Sequence, residues 1–249
     1  MTIRFYLAYN IRMHYFKNDV LKLIGILLNQ NQINALMQYA TELVEWNQKF
    51  NLTAITDFQD IYTKHFLDSL SCYTAIKPDE NTTIVDVGSG AGFPGLPLKI
   101  VAPQIHLTII ESNRKKAEFC AFIASKLNLT NIQILNQRVE SVGQDLNYRE
   151  RFEWGVSRAV AHLSTLVEYI LPLVKINGKA LAMKAKNAME EIEAAKNAIS
   201  LLGGNEEKVI PVNIPGITET RYLIQINKEK TTTQKYPRRI GIPKNKPLS

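Results

Sequence analysis

The stretch Val85 to Gly95, VDVGSGAGFPG, constrains this chain more than any other, because an apolar run breaks at once into Gly88, Gly90, Gly92 and Gly95. The run before the turn reads as a β-strand, and Pro94 and Pro97 behind it sit where a helix starts. A strand that passes into a helix through glycines lets backbone N–H groups approach a ligand that side chains would hold away. A dinucleotide turn would read G-x-G-x-x-G, but Phe93 stands in place of the third glycine and the acid, Asp86, precedes the turn. A triphosphate loop would need a lysine, which the stretch lacks. The turn suits a nucleoside that is uncharged or cationic, with Asp86 near its positive centre. S-adenosylmethionine answers that description.

Around this turn, strand and helix patterns alternate. Ile33, Leu36, Met37, Ala40, Leu43 and Val44 recur at helical spacing, which predicts an amphipathic helix from about Gln32 to Trp46. A second helix is expected from Asp57, a good N-cap, until Pro78 stops it. These make a helical section over residues 1–78, packed on a main domain over 79–249 as one globular unit. In the main domain, strands are expected at 83–87, 106–111, 132–135, 154–157 and 179–184. Helices are expected from Pro94 and over 114–127, 163–171 and 188–202. Such alternation implies parallel β-α-β units. The last two apolar segments, 208–212 and 222–227, are joined only by a short connection holding Pro215 and Gly216. That predicts a hairpin and one antiparallel strand in a seven-stranded, mostly parallel sheet, the Rossmann-like pattern of class I methyltransferases.

The 249 residues carry 30 basic and 23 acidic side chains, a formal net charge of +7. The excess sits at the two ends: residues 228–249 hold seven basic groups against Glu229, and residues 1–22 hold four against Asp19, leaving the centre slightly acidic. Basic ends suit an anionic partner, and basic groups interleaved with Tyr236 suit phosphate contact and base stacking. Cys72 and Cys120 lack metal or redox spacing and read as buried thiols in a reducing, cytoplasmic setting. His14, His106 and His162 form no ligand spacing, so no metal is expected. The apolar run 20–28, interrupted by Lys22 and Gly25, falls short of the roughly 20 residues a membrane span needs. Met13 could serve as an alternative start.

Ligands of open parallel sheets lie beyond the C-terminal strand ends. The first strand delivers the glycine turn there, and the second delivers Glu111. Glu111 suits ribose hydroxyls, or alternatively the N-terminus of the next helix. Arg138, Val139 and Glu140 follow the third strand and can border an adenine. Ser157 and Arg158 end the fourth. Phe93 reads equally as cofactor contact or as packing beneath the turn. Asn51 and His65 are rim candidates or helix-structural residues.

Several blocks carry a more specific resemblance. VDVGSGAGFPGLPLKI is similar to the signature of the RsmG (GidB) family of bacterial small-subunit ribosomal RNA methyltransferases. NLTAI at Asn51–Ile55, KHFLDSL at Lys64–Leu70, SRAVA at Ser157–Ala161, LPLVK at Leu171–Lys175 and YPRRIGIPKNKPL at Tyr236–Leu248 resemble further family blocks in the same order. The resemblance implies methyl transfer from S-adenosylmethionine to N7 of a guanine in the decoding-region loop of small-subunit (16S) ribosomal RNA. Carried over by position, it implies cofactor contacts at Gly88, Phe93, Val139, Glu140 and Arg158, beside Asp86, Gly90 and Gly92 from the turn itself and Glu111 at the end of the second strand. Two departures stand out: Met183-Lys184-Ala185 replaces a frequent L-K-G, and Lys64 stands where arginine is frequent.

Guanine N7 has a lone pair and no proton, so its methylation needs no general base, and positioning should dominate. A hydrogen-bond donor on N7 would block attack. Contacts to O6 or phosphate are therefore expected, with Arg158, Lys184 and Arg221 as candidates. Lys64, His65, Arg238, Arg239, Lys244 and Lys246 are the expected RNA-binding residues. The partner is ribosomal RNA or the small-subunit particle, and a monomer is expected. The rival readings are a small-molecule methyltransferase, a non-catalytic ribosome-binding module, and a nucleotide-dependent dehydrogenase. The charged ends argue against the first, the intact turn against the second, and Phe93 with Asp86 against the third.

Overall fold

The computed structural model describes residues 15–248. Helical residues 15–24 (α1) lead into α2, Gln30–Phe50, which opens on a reciprocal cap: the Asn29 side chain accepts from Gln32 N while the Gln32 side chain accepts from Asn29 N. Asn51 ends α2 in the left-handed conformation. Asp57 then caps α3, Phe58–Asp60, by accepting from Gln59 N and Asp60 N. The chain continues through a π-helical stretch, Ile61–Leu67, into α4, Asp68–Leu70, and a 3-10 turn, Ser71–Thr74. The expected second helix is thus composite. Its π-helical part carries Lys64 and His65, and such segments often occur at functional sites.

Seven strands follow: β1, Thr83–Val87; β2, His106–Ile110; β3, Ile132–Leu135; β4, Phe152–Arg158; β5, Val174–Lys184; β6, Gly204–Val212; and β7, Arg221–Lys228. Their spatial order is β3-β2-β1-β4-β5-β7-β6. All neighbouring pairs are parallel except those of β7, which runs antiparallel to both β5 and β6. The strand order reverses between β1 and β4, so a crevice opens beyond their C-terminal ends. Between the strands lie α5, Gly95–Val101; α6, Arg114–Lys126; α7, Val139–Val142; α8, Leu163–Ile170; and α9, Ala188–Leu201. A short α10, Ile242–Asn245, falls in the tail.

Two apolar clusters cover the sheet. One joins Phe16, Leu36, Tyr39, Phe66 and Leu70 from the N-terminal helices to Ile84, Leu107 and Ile109 of the sheet, so those helices share a core with the strands. The other packs α8 and α9 against Val85, Val87, Ala180 and Ile224. Among the described residues no helix is long and apolar enough to cross a membrane. Cys72 and Cys120 are buried free thiols.

β4 must come close to α8. A Cβ on Gly155 would lie 2.3 Å from Ile170 Cγ2 and 3.0 Å from Val174 Cγ2, both in the second cluster. Packed cores yield little, so Gly155→Ala should destabilise the fold by about 1–3 kcal/mol in urea unfolding. A loss below about 0.5 kcal/mol would show that this contact can relax.

Candidate active site at the β1–β4 crevice

The turn after β1 is held from below. Asp86 is wholly buried, and its Oδ2 accepts from Ser89 Oγ at 2.5 Å and from Gly95 N at 2.8 Å, tying both ends of the turn to one carboxylate oxygen. Glu111 at the end of β2 supports the middle: Oε2 accepts from Gly90 N at 2.8 Å and Oε1 from Asn113 N at 2.7 Å. Gly88 has φ +69°, and a Cβ there would stand 2.6 Å from Val160 Cγ2, so this position needs glycine for both conformation and space.

Asp86 therefore lies under the turn as its anchor, not in the crevice beside a positive centre as expected from the sequence. Glu111 meets the alternative expectation, a bond at the start of the next helix, and also fixes the turn. Each of its carboxylate oxygens keeps a further lone pair. The Phe93 side chain also belongs to packing: its ring stacks with Tyr39 at 5.4 Å and with His65 at 4.3 Å between centroids. Its backbone N–H donates to Ser89 O within the turn.

Arg158 leaves the end of β4 and places its guanidinium 5.0 Å over the Phe93 ring. Its Nη1 donates to Asp68 Oδ2 at 2.8 Å and to Lys64 O at 3.0 Å, and its Nη2 lies 3.1 Å from His65 Nδ1. Arg221, from the start of β7, reaches the other Asp68 oxygen at 3.3 Å. Two arginines remote in sequence thus share one nearly buried acid. Burial, and secondarily the Arg158 charge, hold the His65 imidazole down at about 3. It is neutral at working pH, and its Nε2 is paired with Thr53 Oγ1 at 2.9 Å.

A cleft of about 420 Å³, within the usual range for a small-molecule site, opens beyond the C-terminal ends of β1 to β4, and Phe93, His65, Asp68, Arg158 and Arg221 are not among its lining residues. Val87 and Gly88 line it after β1, Ile110 and Ser112 after β2, and Gln137, Arg138, Val139 and Glu140 after β3. Val160, Ala161 and His162 line it after β4, Thr165 and Tyr169 from α8, and Lys244 and Pro247 from the tail. Gly88 with the apolar Val87, Ile110, Val139 and Val160, beside polar Ser112, Gln137, Glu140 and Thr165, suits a nucleoside-sized ligand.

Other expected residues have structural partners. Lys184 Nζ sits 2.7 Å from Glu191 Oε2 and 2.5 Å from Ala161 O, so it braces the loop after β4. Arg238 forms a bidentate pair with the fully buried Glu168, with Nη2 to Oε2 at 2.7 Å and Nε to Oε1 at 2.9 Å. It is thereby a tail anchor, not an open cation for phosphate. Lys64 is half-exposed and paired with Asp60 at 2.9 Å. Arg239, Lys244 and Lys246 are exposed. Among the described residues no group of His, Cys, Asp and Glu could hold a metal. Sequence reasoning passed over Asp68 and Glu168, although each is a lone acid in an otherwise apolar helix, HFLDSL and LVEYIL.

A glycine turn at the strand-order reversal, with a cleft beyond it, defines an S-adenosylmethionine-dependent methyltransferase fold. The chain superposes on a putative S-adenosyl-L-methionine-dependent methyltransferase of Methanococcus maripaludis with TM-score 0.53 at 16% identity, covering 78% of this chain and 94% of that one. It also superposes on a SAM-dependent methyltransferase of Aquifex aeolicus with TM-score 0.52 at 14% identity, covering 71% and 96%. Sequence comparison is more specific. Residues 32–219 match the family described as GidB, rRNA small subunit methyltransferase G, and the chain belongs to that family. Proteins named ribosomal RNA small subunit methyltransferase G from Roseiflexus castenholzii and Oceanobacillus iheyensis are 46% and 44% identical to it. The matches cover 90% and 92% of this chain and 95% and 96% of those proteins.

The Asp86 anchor makes a pH-dependent prediction. Burial raises its carboxyl from 3.8 to about 6, against the pull of its bonds to Ser89 and Gly95. A folded-state value above the unfolded one means that the contribution to stability is full below about pH 4 and is lost as pH rises through about 6. Asp86→Asn removes the titration and keeps an acceptor for both donors. Its stability relative to the unsubstituted protein should therefore improve between pH 4 and pH 7, by about 2 kcal/mol. Urea unfolding at both pH values measures this, and a pH-independent difference would refute the anchor's protonation.

Proposed function

We infer that this protein methylates small-subunit ribosomal RNA, with S-adenosylmethionine as methyl donor and N7 of a guanine as acceptor. The observation that carries the reading is the family match over residues 32–219, which spans the turn, the cleft lining from Val87 to Tyr169, and the Arg158–Asp68 pair. The cleft's volume and its mixed apolar and polar lining fit the cofactor. Bound there, S-adenosylmethionine supplies a methyl group already activated on a sulfonium.

The chain's own residues have the task of positioning. Gly88, residues 137–140 and residues 160–162 all line the cleft. Arg158 and Arg221, held in place by Asp68, present guanidinium groups beside the crevice. Three of the five Arg158 N–H donors are used by Asp68, Lys64 and His65. The remainder can reach O6 or a phosphate of the target nucleotide and leave N7 open. Lys184, engaged with Glu191 and Ala161, supports the loop instead of the guanine.

A general base is not required. His65, the imidazole nearest the arginine cluster, is held near 3, and both its nitrogens are paired. Exposed Arg239, Lys244 and Lys246 supply phosphate contacts, and the substrate is naked RNA or the small-subunit particle. The protein acts as a cytoplasmic monomer in this reading.

Incubation with labelled S-adenosylmethionine and small subunits or ribosomal RNA lacking the modification should place label on guanine N7. Absence of label in both substrates would sink the assignment. Single-turnover methyl transfer from the bound complex should stay flat from about pH 7 to 8.5, since neither His65 nor Asp86 titrates there. A steep rise over that range would mean that a base takes part.

A further inference from the structure

The tail after β7 is fastened far more firmly than a phosphate-binding arm requires. Arg149 donates to four carbonyls, those of Gly143, Thr232, Thr233 and Tyr236, at 2.6–3.0 Å. Gln144 Nε2 bonds Pro237 O at 2.7 Å, and the Tyr236 side chain is buried in the second core cluster. Glu168, with no exposed surface, accepts from the Arg238 backbone at 2.8 Å as well as from its guanidinium. Burying that carboxylate is costly unless the pair is fully bonded, so its gain is a fixed chain path. From Arg238 the path leads directly to the cleft. Glu140 Oε1 accepts from Gly241 N at 3.0 Å, Thr165 Oγ1 donates to Pro243 O at 3.2 Å, and Lys244 and Pro247 line the cleft beside Val139 and Tyr169.

We propose that residues 241–247 form a wall of the S-adenosylmethionine cleft at its adenosine end, and that Arg238 is the positioning residue that holds this wall. The proposal rests on the cofactor reading above. A wall ordered before binding saves the ligand the cost of ordering it, so the tail sets cofactor affinity whether or not RNA is present. Exposed Arg239 and Lys246 lie outside the cleft lining and serve RNA alone, whereas exposed Lys244 borders the cleft as well.

The test measures the dissociation constants of full-length protein for S-adenosylmethionine and S-adenosylhomocysteine by calorimetry, alongside RNA affinity and thermal unfolding. Arg238→Ala should weaken both cofactor ligands roughly tenfold and raise the cofactor KM while leaving kcat at saturating cofactor unchanged. Arg238→Lys, which keeps the charge but not the bidentate geometry, should recover part of the loss. Because Arg238→Ala can also lower global stability, the deciding variant is the double change Lys244→Ala with Pro247→Gly at the exposed wall. Weakened cofactor binding at unchanged melting temperature supports the proposal. Unchanged cofactor affinity in that variant overturns it, as does a loss confined to RNA affinity. Arg239→Ala with Lys246→Ala should lower RNA affinity and its salt slope and leave cofactor affinity intact; a matching loss of cofactor affinity would place the wall elsewhere. Failure of the unsubstituted protein to bind either ligand would refute the cofactor reading itself, a result distinct from binding that the wall variants leave untouched.

Discussion

Two buried carboxylates on adjacent strands hold the turn from which the site is built. Asp86 at the end of β1 joins Ser89 to Gly95, and Glu111 just after β2 holds Gly90. Backbone N–H groups in a tight turn lose water and must be paired, and a carboxylate accepts from them more strongly than a neutral acceptor would: Asp86 takes Gly95 N with the Ser89 hydroxyl, and Glu111 takes Gly90 N. The cost is visible at Asp86 Oδ1, a buried oxygen without a hydrogen-bond partner, and in the raised affinity of that carboxyl for a proton. Charge is spent here on backbone geometry. The space above the turn is thereby left to glycine and main chain, which is what a nucleoside needs.

The same turn ties the N-terminal helices to the crevice. Tyr39 of α2 stacks on Phe93 and donates its hydroxyl proton to Ala91 O, while His65 of the π-helical stretch also stacks on Phe93. Arg158 completes the pile, and Asp68 holds it in place with Arg221. One aromatic ring thus couples α2, the π-helical stretch and β4. Displacing the first helices would disturb the arginine cluster at the crevice, so they serve the site as much as the fold.

Most elements were legible because period and punctuation agreed. β3 over Ile132–Leu135 lies where the sequence places it, and α6 and α8 each end one residue before the expected limit. β5 begins at Val174, five residues earlier than expected, because Asn177 at φ +65° and Gly178 read as a break when they form a bulge within the strand. The 3.6-residue period does not reveal that residues 61–67 follow π geometry. Nor does chain order show that Asp68 meets Arg158 and Arg221, about 90 and 153 residues away. Such partners are fixed by strand order alone, and only a lone acid in an apolar run hints at them.

Charge was the feature most open to misreading. Counted along the chain, residues 228–249 are a basic tail; in the fold the same residues divide by partner. Lys228 is buried, donates to Leu171 O and Leu202 O, lies 3.4 Å from Glu150 and is held down to about 8 by burial. Arg238 belongs to Glu168. Neither adds to the field an RNA would meet, whereas Arg239, Lys244 and Lys246 are exposed. Their position follows from the buried pairs, since a tail already fixed by Arg149 and Glu168 presents its remaining cations without first having to be ordered. In this tail, the cations that are neutralised set the direction in which the others point.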